Sequence, residues 1–214
     1  MFTGIVEEAG TVEVIRPTEK AIQLTVRAHV IGRGLKLGAS VAVNGCCLTV
    51  VKLAARGRDR LIQFDLLQES WRLTNLQFAP VGSLVNLERP LRADGELGGH
   101  FVTGHVDGVG RVVELQRQGD TVYVTLLVPP EGARFAVLRG SIALDGVSLT
   151  LTDVEGERVS VALIPYTLEN TTLGSLRIGD RVNVEFDILA KYAAAAALGR
   201  SMGLTLAALE EEGF

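Results

Sequence analysis

The chain has 214 residues, a formal net charge of −4, and 47% hydrophobic against 21% charged residues. That core content excludes intrinsic disorder, and the acidic balance, with no basic stripe, gives no footprint for nucleic acid. The length allows either one large domain or two of about 100 residues, and the sequence contains no run of about 18 uncharged apolar residues that would span a membrane.

The opening MFTGIVEEAG lacks a basic leader and a long apolar stretch, so no signal peptide is expected and the cytoplasm is the expected location. Polar and apolar residues then alternate over Thr11–Ile15, Gln23–Val26 and Ser40–Val43, which predicts strands. Asn44-Gly45 predicts a tight turn. The adjacent Cys46 and Cys47 are poorly placed to bridge each other. With no CxxC pair and only the scattered His29, His100 and His105, no metal site is expected. Arg56-Gly57-Arg58-Asp59-Arg60 reads as a solvated loop, and Leu73-Thr74-Asn75-Leu76 as a turn or short helical piece. Gly108-Val109-Gly110 lacks the third glycine of a dinucleotide loop. Thr121–Val128 is a β-branched run and Arg158–Leu163 alternates. Asp145-Gly146, Glu155-Gly156 and Gly179-Asp180 punctuate the strands, and a short piece like that at Leu73 is expected near Thr171. Short strands at this spacing predict a small barrel or sandwich, and closing a barrel removes exposed edges. From Leu189 to Leu209 the composition turns to Ala and Leu, which predicts a helix. Its polar residues, Lys191, Arg200 and Glu210 to Glu212, cannot cover all of it. It packs either on its own barrel or against copies of itself.

The sequence is written twice. TGIVEEAGTV at Thr3 echoes TGHVDGVGRV at Thr103; SVAVNGCCLTV at Ser40 echoes SIALDGVSLTL at Ser141; LLQESWRLTNL at Leu66 echoes LIPYTLENTTL at Leu163; VGSLVNLE at Val81 echoes IGDRVNVE at Ile178. Four echoes in one order, offset by 97 to 101 residues, indicate a duplicated domain with a core in each copy.

Matched motifs predict two similar ligands, and differences at matched positions predict different tasks. Ile5 corresponds to His105, Cys47 to Ser148, and Asn44 to Asp145. His105 suits proton transfer near neutral pH, or is a structural surface histidine. Cys47 is either a nucleophile or a small buried hydrophobe, and Ser40 and Ser141 are either site hydroxyls or plain strand residues. Leu48-Thr49 and Leu149-Thr150 are kept in both copies, where an extended backbone and a hydroxyl can hydrogen-bond the imide-like edge of a heterocycle.

MFTGIVEE, NGCCLTV, RLTNL, GGHFVTGHVDG, DGVSLT and TLENTTLG resemble the riboflavin synthase family of the α-subunit type, from Met1 to about Asp187. The resemblance implies an all-β chain of two tandem six-stranded antiparallel Greek-key barrels, over residues 1–100 and 101–187. A C-terminal helix over 188–214 would help to hold a homotrimer. Each barrel would bind one 6,7-dimethyl-8-ribityllumazine, with the active site between the N-terminal barrel of one subunit and the C-terminal barrel of another. Transfer of a four-carbon unit between two lumazines would give riboflavin and 5-amino-6-ribitylaminouracil, with no metal or redox cofactor. Association with lumazine synthase is a further expectation. An N-terminal pocket is expected from Gly4, Ile5, Val6, Ser40, Cys47, Leu48, Thr49, Asp65, Leu66, Leu67, Gln68, Glu69 and Ser70. A C-terminal pocket is expected from Gly104, His105, Val106, Arg139, Ser148, Leu149, Thr150, Leu163, Ile164, Pro165, Tyr166, Thr167 and Leu168, with Asp145 and Asp187 behind them. Some relatives carry Lys at position 139 and Glu at position 166. His105, Cys47 and Ser40 are the expected catalytic residues: His105 for proton transfer at the methyl-bearing ring, Ser40 and Cys47 for positioning the partner lumazine or forming an adduct with it. Two rivals resemble this pattern in part: a non-catalytic lumazine antenna with one working site, and a flavin oxidoreductase barrel, which would need a nicotinamide-binding domain.

Overall fold

The computed structural model describes residues 1–201. In the first copy, β1 (Glu8–Pro17) and β2 (Ile22–Ala28) are followed by β3 (Ser40–Val43), β4 (Cys46–Arg56) and β5 (Asp59–Leu66). A short helix α1 (Gln68–Leu73), a 3-10 turn (Asn75–Phe78) and β6 (Leu84–Glu88) complete it. The second copy repeats this with β7 (Gly108–Gln118), β8 (Thr121–Leu127), α2 (Pro130–Ala133), β9 (Ser141–Leu144), β10 (Val147–Glu155) and β11 (Arg158–Leu163). Helix α3 (Pro165–Asn170), a second 3-10 turn (Thr172–Ser175), β12 (Arg181–Phe186) and α4 (Ile188–Ser201) follow. The expected helix starts one residue earlier than its composition suggests, and its part beyond Ser201 lies outside the described residues.

Each copy closes into a six-stranded antiparallel barrel, in the order β1-β2-β5-β4-β3-β6 and its equivalent. The meander β3-β4-β5 has β2 beside β5, reached by the long connection after Ala28, which makes a Greek key. Alternation sets the inward face: Ile22, Leu24, Val26 and Ala28 are buried along β2, as are Val159, Val161 and Leu163 along β11. The register shifts at Val12/Val14 and Val50/Lys52, and at the matched Val112/Glu114 and Leu151/Asp153. Such bulges sharpen the bend that closure needs.

The two cores are separate, but the chain does not divide cleanly at residue 100. Phe2 and Val102 pair across the junction (Phe2 N to Val102 O 2.6 Å) and form a third buried cluster with Ala42 and Ala143. Val6, from the first copy, packs on the second core, and Val106, from the second copy, packs on the first. The hairpin tips Asn44-Gly45 and Asp145-Gly146 have positive φ at both positions, the type I′ geometry expected of NG and DG. They meet back to back: a Cβ on Gly45 would lie 2.7 Å from Gly146 N, and one on Gly146 2.8 Å from Gly45 N.

A buried polar network surrounds these tips. Asn44 Oδ1 accepts from Asn86 N (2.7 Å), and Asp145 Oδ1 accepts from Asn183 N (2.7 Å) and Asn75 Nδ2 (2.9 Å). Asn44 Nδ2 donates to Asn75 Oδ1 (3.3 Å), whereas the Oγ1 of Thr172, the residue matched to Asn75, is buried without a partner. Burial pushes the Asp145 carboxyl from an ordinary 3.8 up to about 7, against the two hydrogen bonds that lower it. The fold therefore prefers protonated Asp145: that stability is present below about pH 4 and is lost as pH rises through about 7. Asp145→Asn removes the ionisation and supplies a donor matching Asn44. We expect the variant to exceed the parent at pH 8 by about 1–3 kcal/mol in urea melts, with the gain vanishing near pH 4.

Candidate functional site

Each copy's Thr-Gly pair is clamped by a buried glutamate at the end of that copy's last strand. Glu88 accepts from Thr3 N (2.7 Å), Thr3 Oγ1 (2.8 Å) and Gly4 N (3.1 Å). Glu185 accepts from Thr103 N (2.6 Å), Thr103 Oγ1 (2.7 Å) and Gly104 N (3.0 Å). Burial raises both carboxyls, and the same hydrogen bonds oppose the rise. The clamped segments then cross over. Gly104 O accepts from Cys47 N (2.9 Å), and Gly4 O accepts from Ser148 N (2.8 Å). Both glycines have positive φ, and a Cβ on either would fall about 2.5 Å from the side chain opposite.

The crossing re-sorts the expected residues. Gly104, His105 and Val106 lie with Cys47, Leu48 and Thr49 of the first barrel; Gly4, Ile5 and Val6 lie with Ser148, Leu149 and Thr150 of the second. These two hydrogen bonds set each copy's Thr-Gly segment against the opposite barrel, where the sequence reading grouped it with its own copy. Ser40 pairs directly with Thr49, and Ser141 with Thr150. The β4–β5 ladder ends at Val50–Phe64, one residue from both Thr49 and Asp65. Leu67 precedes α1, which opens with Gln68, Glu69 and Ser70. In the second copy Ile164 likewise precedes α3, which opens with Pro165, Tyr166 and Thr167 and includes Leu168.

Three expected contact residues turn inward: Leu48, Leu66 and Leu163 are buried in the barrel cores, so only their backbone can meet a ligand. Asp145 lies in the network between the barrels. Asp187 caps α4, accepting from Leu189 N at 3.0 Å. Arg139 is exposed, in a left-handed conformation (φ 65), beside the exposed Val137 and Leu138. Ile5, Leu67, Ile164 and Tyr166 are between 50% and 73% exposed, so large apolar side chains at expected contact positions of both copies are uncovered. Burial pushes the Cys46 thiol up to about 12, which leaves it inert, while Cys47 is half-buried at the site.

Sequence reading missed His100. Its Nδ1 lies 2.7 Å from Ser148 Oγ, and its Nε2 is buried without a partner. Burial lowers its pKa, with Asp187 opposing, so the ring is neutral near pH 7. Each crossing is therefore accompanied by a differently placed imidazole: His105 follows Gly104, whose carbonyl receives Cys47 N, and His100 lies on Ser148, where the residue after the clamped Thr3-Gly4 pair is the apolar Ile5. A cavity of about 830 Å3 borders Ile5, Arg33, Lys36 and Gly98, and neither Cys47 nor Ser148 lines it. Among the described residues no cluster suited to a metal ion is found, and no helix is long and apolar enough to cross a membrane.

A lumazine binding domain model matches residues 3–90 and again 103–187. The chain is 43% identical to a riboflavin synthase of Brucella abortus over 195 residues, 91% of this chain and 96% of that protein. It is 41% identical to that of Bacillus amyloliquefaciens over 192 residues, 90% and 87% of the respective chains. Among solved structures it resembles LumP complexed with riboflavin (TM-score 0.78) and with 6,7-dimethyl-8-(1'-D-ribityl) lumazine (TM-score 0.77). Both are 27% identical, over 87% of this chain and 99% of the other.

Proposed function

Since the chain belongs to the lumazine-binding domain family through both of its repeats, we infer that it catalyses the riboflavin synthase reaction. Two 6,7-dimethyl-8-ribityllumazine molecules exchange a four-carbon unit, giving riboflavin and 5-amino-6-ribitylaminouracil. The observation that carries this reading is the identity of about 40% with riboflavin synthases across both barrels.

The chemistry suits a protein without a resident redox group. The C7 methyl of the lumazine is acidic because its anion delocalises into the ring system. Alignment of two heterocycles is the main demand, and such alignment can supply about 7–11 kcal/mol. In our reading, one lumazine lies against Cys47-Leu48-Thr49 under Gly104-His105-Val106, and the other against Ser148-Leu149-Thr150 under Gly4-Ile5-Val6. Cys47 and Ser40 position the first lumazine or form the adduct at its C7, while His105, exposed at the rim, moves the methyl proton of the lumazine that faces it. The exposure of Ile5, Leu67, Ile164 and Tyr166 favours a site completed by another subunit, N-terminal barrel to C-terminal barrel. The apolar α4, whose Leu189 and Tyr192 are exposed, favours a homotrimer joined through it.

Incubated with 6,7-dimethyl-8-ribityllumazine alone, the protein should form riboflavin and bind two ligands per chain. Its mass in solution should be near three times 22.9 kDa. The likeness to LumP gives the second reading, a ligand-holding antenna, and binding without any riboflavin product would select it.

A further inference from the structure

We propose that Glu88 and Glu185 are positioning residues that act across the junction: Glu185 of the second barrel builds the site at Cys47 of the first, and Glu88 of the first builds the site at Ser148 of the second. The proposal rests on the riboflavin synthase reading for what the sites hold, but its geometry stands apart from it.

Both glutamates are almost fully buried, at 5% and 3% exposure, and neither forms an ion pair among the described residues. A buried carboxylate without a cation is costly unless its oxygens are filled. Here three donors converge on each: two backbone N–H groups and a threonine hydroxyl. A carboxylate is the one side chain of this length that accepts at both ends and donates at neither. Glutamine in its place would turn an amide donor toward a backbone N–H.

The consequence falls on the opposite barrel. Glu185 fixes the amide side of Gly104, and the Gly104 carbonyl then receives Cys47 N. The backbone is thus held on both sides of Gly104 at the point where His105 departs, and Val106 continues onto the first core. Glu88 does the same for Gly4, whose carbonyl receives Ser148 N, with Val6 continuing onto the second core. A glutamate serving only its own barrel would leave the other barrel's site unaffected, so the two roles separate by experiment.

Amide hydrogen exchange, followed by NMR on the full chain, reads the two contacts directly. Glu185→Gln should speed exchange of the Cys47 amide at least tenfold and leave that of Ser148 within twofold; Glu88→Gln should do the reverse. Riboflavin should protect Cys47 from alkylation by iodoacetamide, and the concentration needed should rise about tenfold in Glu185→Gln and stay within threefold in Glu88→Gln. Equal change at both amides, or change confined to each glutamate's own barrel, overturns the proposal. Thr103→Val and Thr3→Val, which leave the carboxylates in place and delete one donor each, should show the same crossed pattern in smaller degree. They decide the matter if a glutamine variant does not fold. A parent that neither makes riboflavin nor gains protection sinks the proposed activity while leaving a crossed exchange pattern intact. An active parent without that pattern sinks only the proposal.

Discussion

Replacing His105 by alanine is expected to slow riboflavin formation by about 10²–10⁴-fold, the range of a general acid–base group, with ligand affinity changed far less. Three features make the side chain suited to this. It follows the clamped Thr103-Gly104 pair, so its backbone is fixed, with its own N–H on Thr103 Oγ1 at 3.3 Å. It lies one residue from the Gly104–Cys47 contact, and it is exposed at the rim, where a second ligand can approach. The fold also supplies an internal control. Ile5 holds the matched position on the other site, so Ile5→Ala should weaken binding at that site through lost apolar contact and should not reproduce the collapse in turnover. Steady-state kinetics with 6,7-dimethyl-8-ribityllumazine decide the point. A His105→Ala protein within about tenfold of the parent would not be missing its base, and His100 on Ser148 would become the leading candidate.

What the sequence made legible was set by local rules, and what it hid was set by contacts about 100 residues apart. The NG and DG hairpins were readable because two consecutive left-handed positions demand those residues. The barrels were readable because their inward faces alternate and the echoes fix one register for both copies. The crossing was not, since nothing local to TGIV or TGHV says which barrel it will cover; the Phe2–Val102 pair decides that. The inward turn of Leu48, Leu66 and Leu163 follows from strand alternation, but the family resemblance names positions, not faces. Asn44 against Asp145 read as a division of labour, and the structure places both in the network between the barrels. His100 escaped for a plainer reason: comparison of the copies has no partner for it, because the matching position in the first copy would precede Met1. The signal available was the glycine pair before it. A Cβ on Gly99 would collide with Thr3 O and reach Ser148, so His100 can sit against Ser148 only behind a residue without a side chain.

Gly104→Ala should be strongly damaging for so small a substitution, lowering stability by about 2–5 kcal/mol. Its φ is +82, a region that costs a residue with a Cβ about 1–2 kcal/mol. The added methyl would lie 2.5 Å from Cys47 Cβ, 2.9 Å from Phe2 Cε2 and 3.1 Å from Cys47 N. None of these is the loose end of a flexible side chain, so the strain of overpacking, about 1–3 kcal/mol, adds to the backbone cost. Gly156→Ala isolates the first contribution: φ there is +60, and nothing lies within 4 Å of its Cβ. Urea melts of the two variants should differ by the packing share alone. Relief by movement would part Gly104 from Cys47 and carry His105 with it, so the surviving folded protein should also lose turnover well beyond its loss of stability. Equal destabilisation by the two substitutions would mean that the close approach of the clamped segment to the first barrel does not exist in solution, and the crossed architecture of both sites would fail with it.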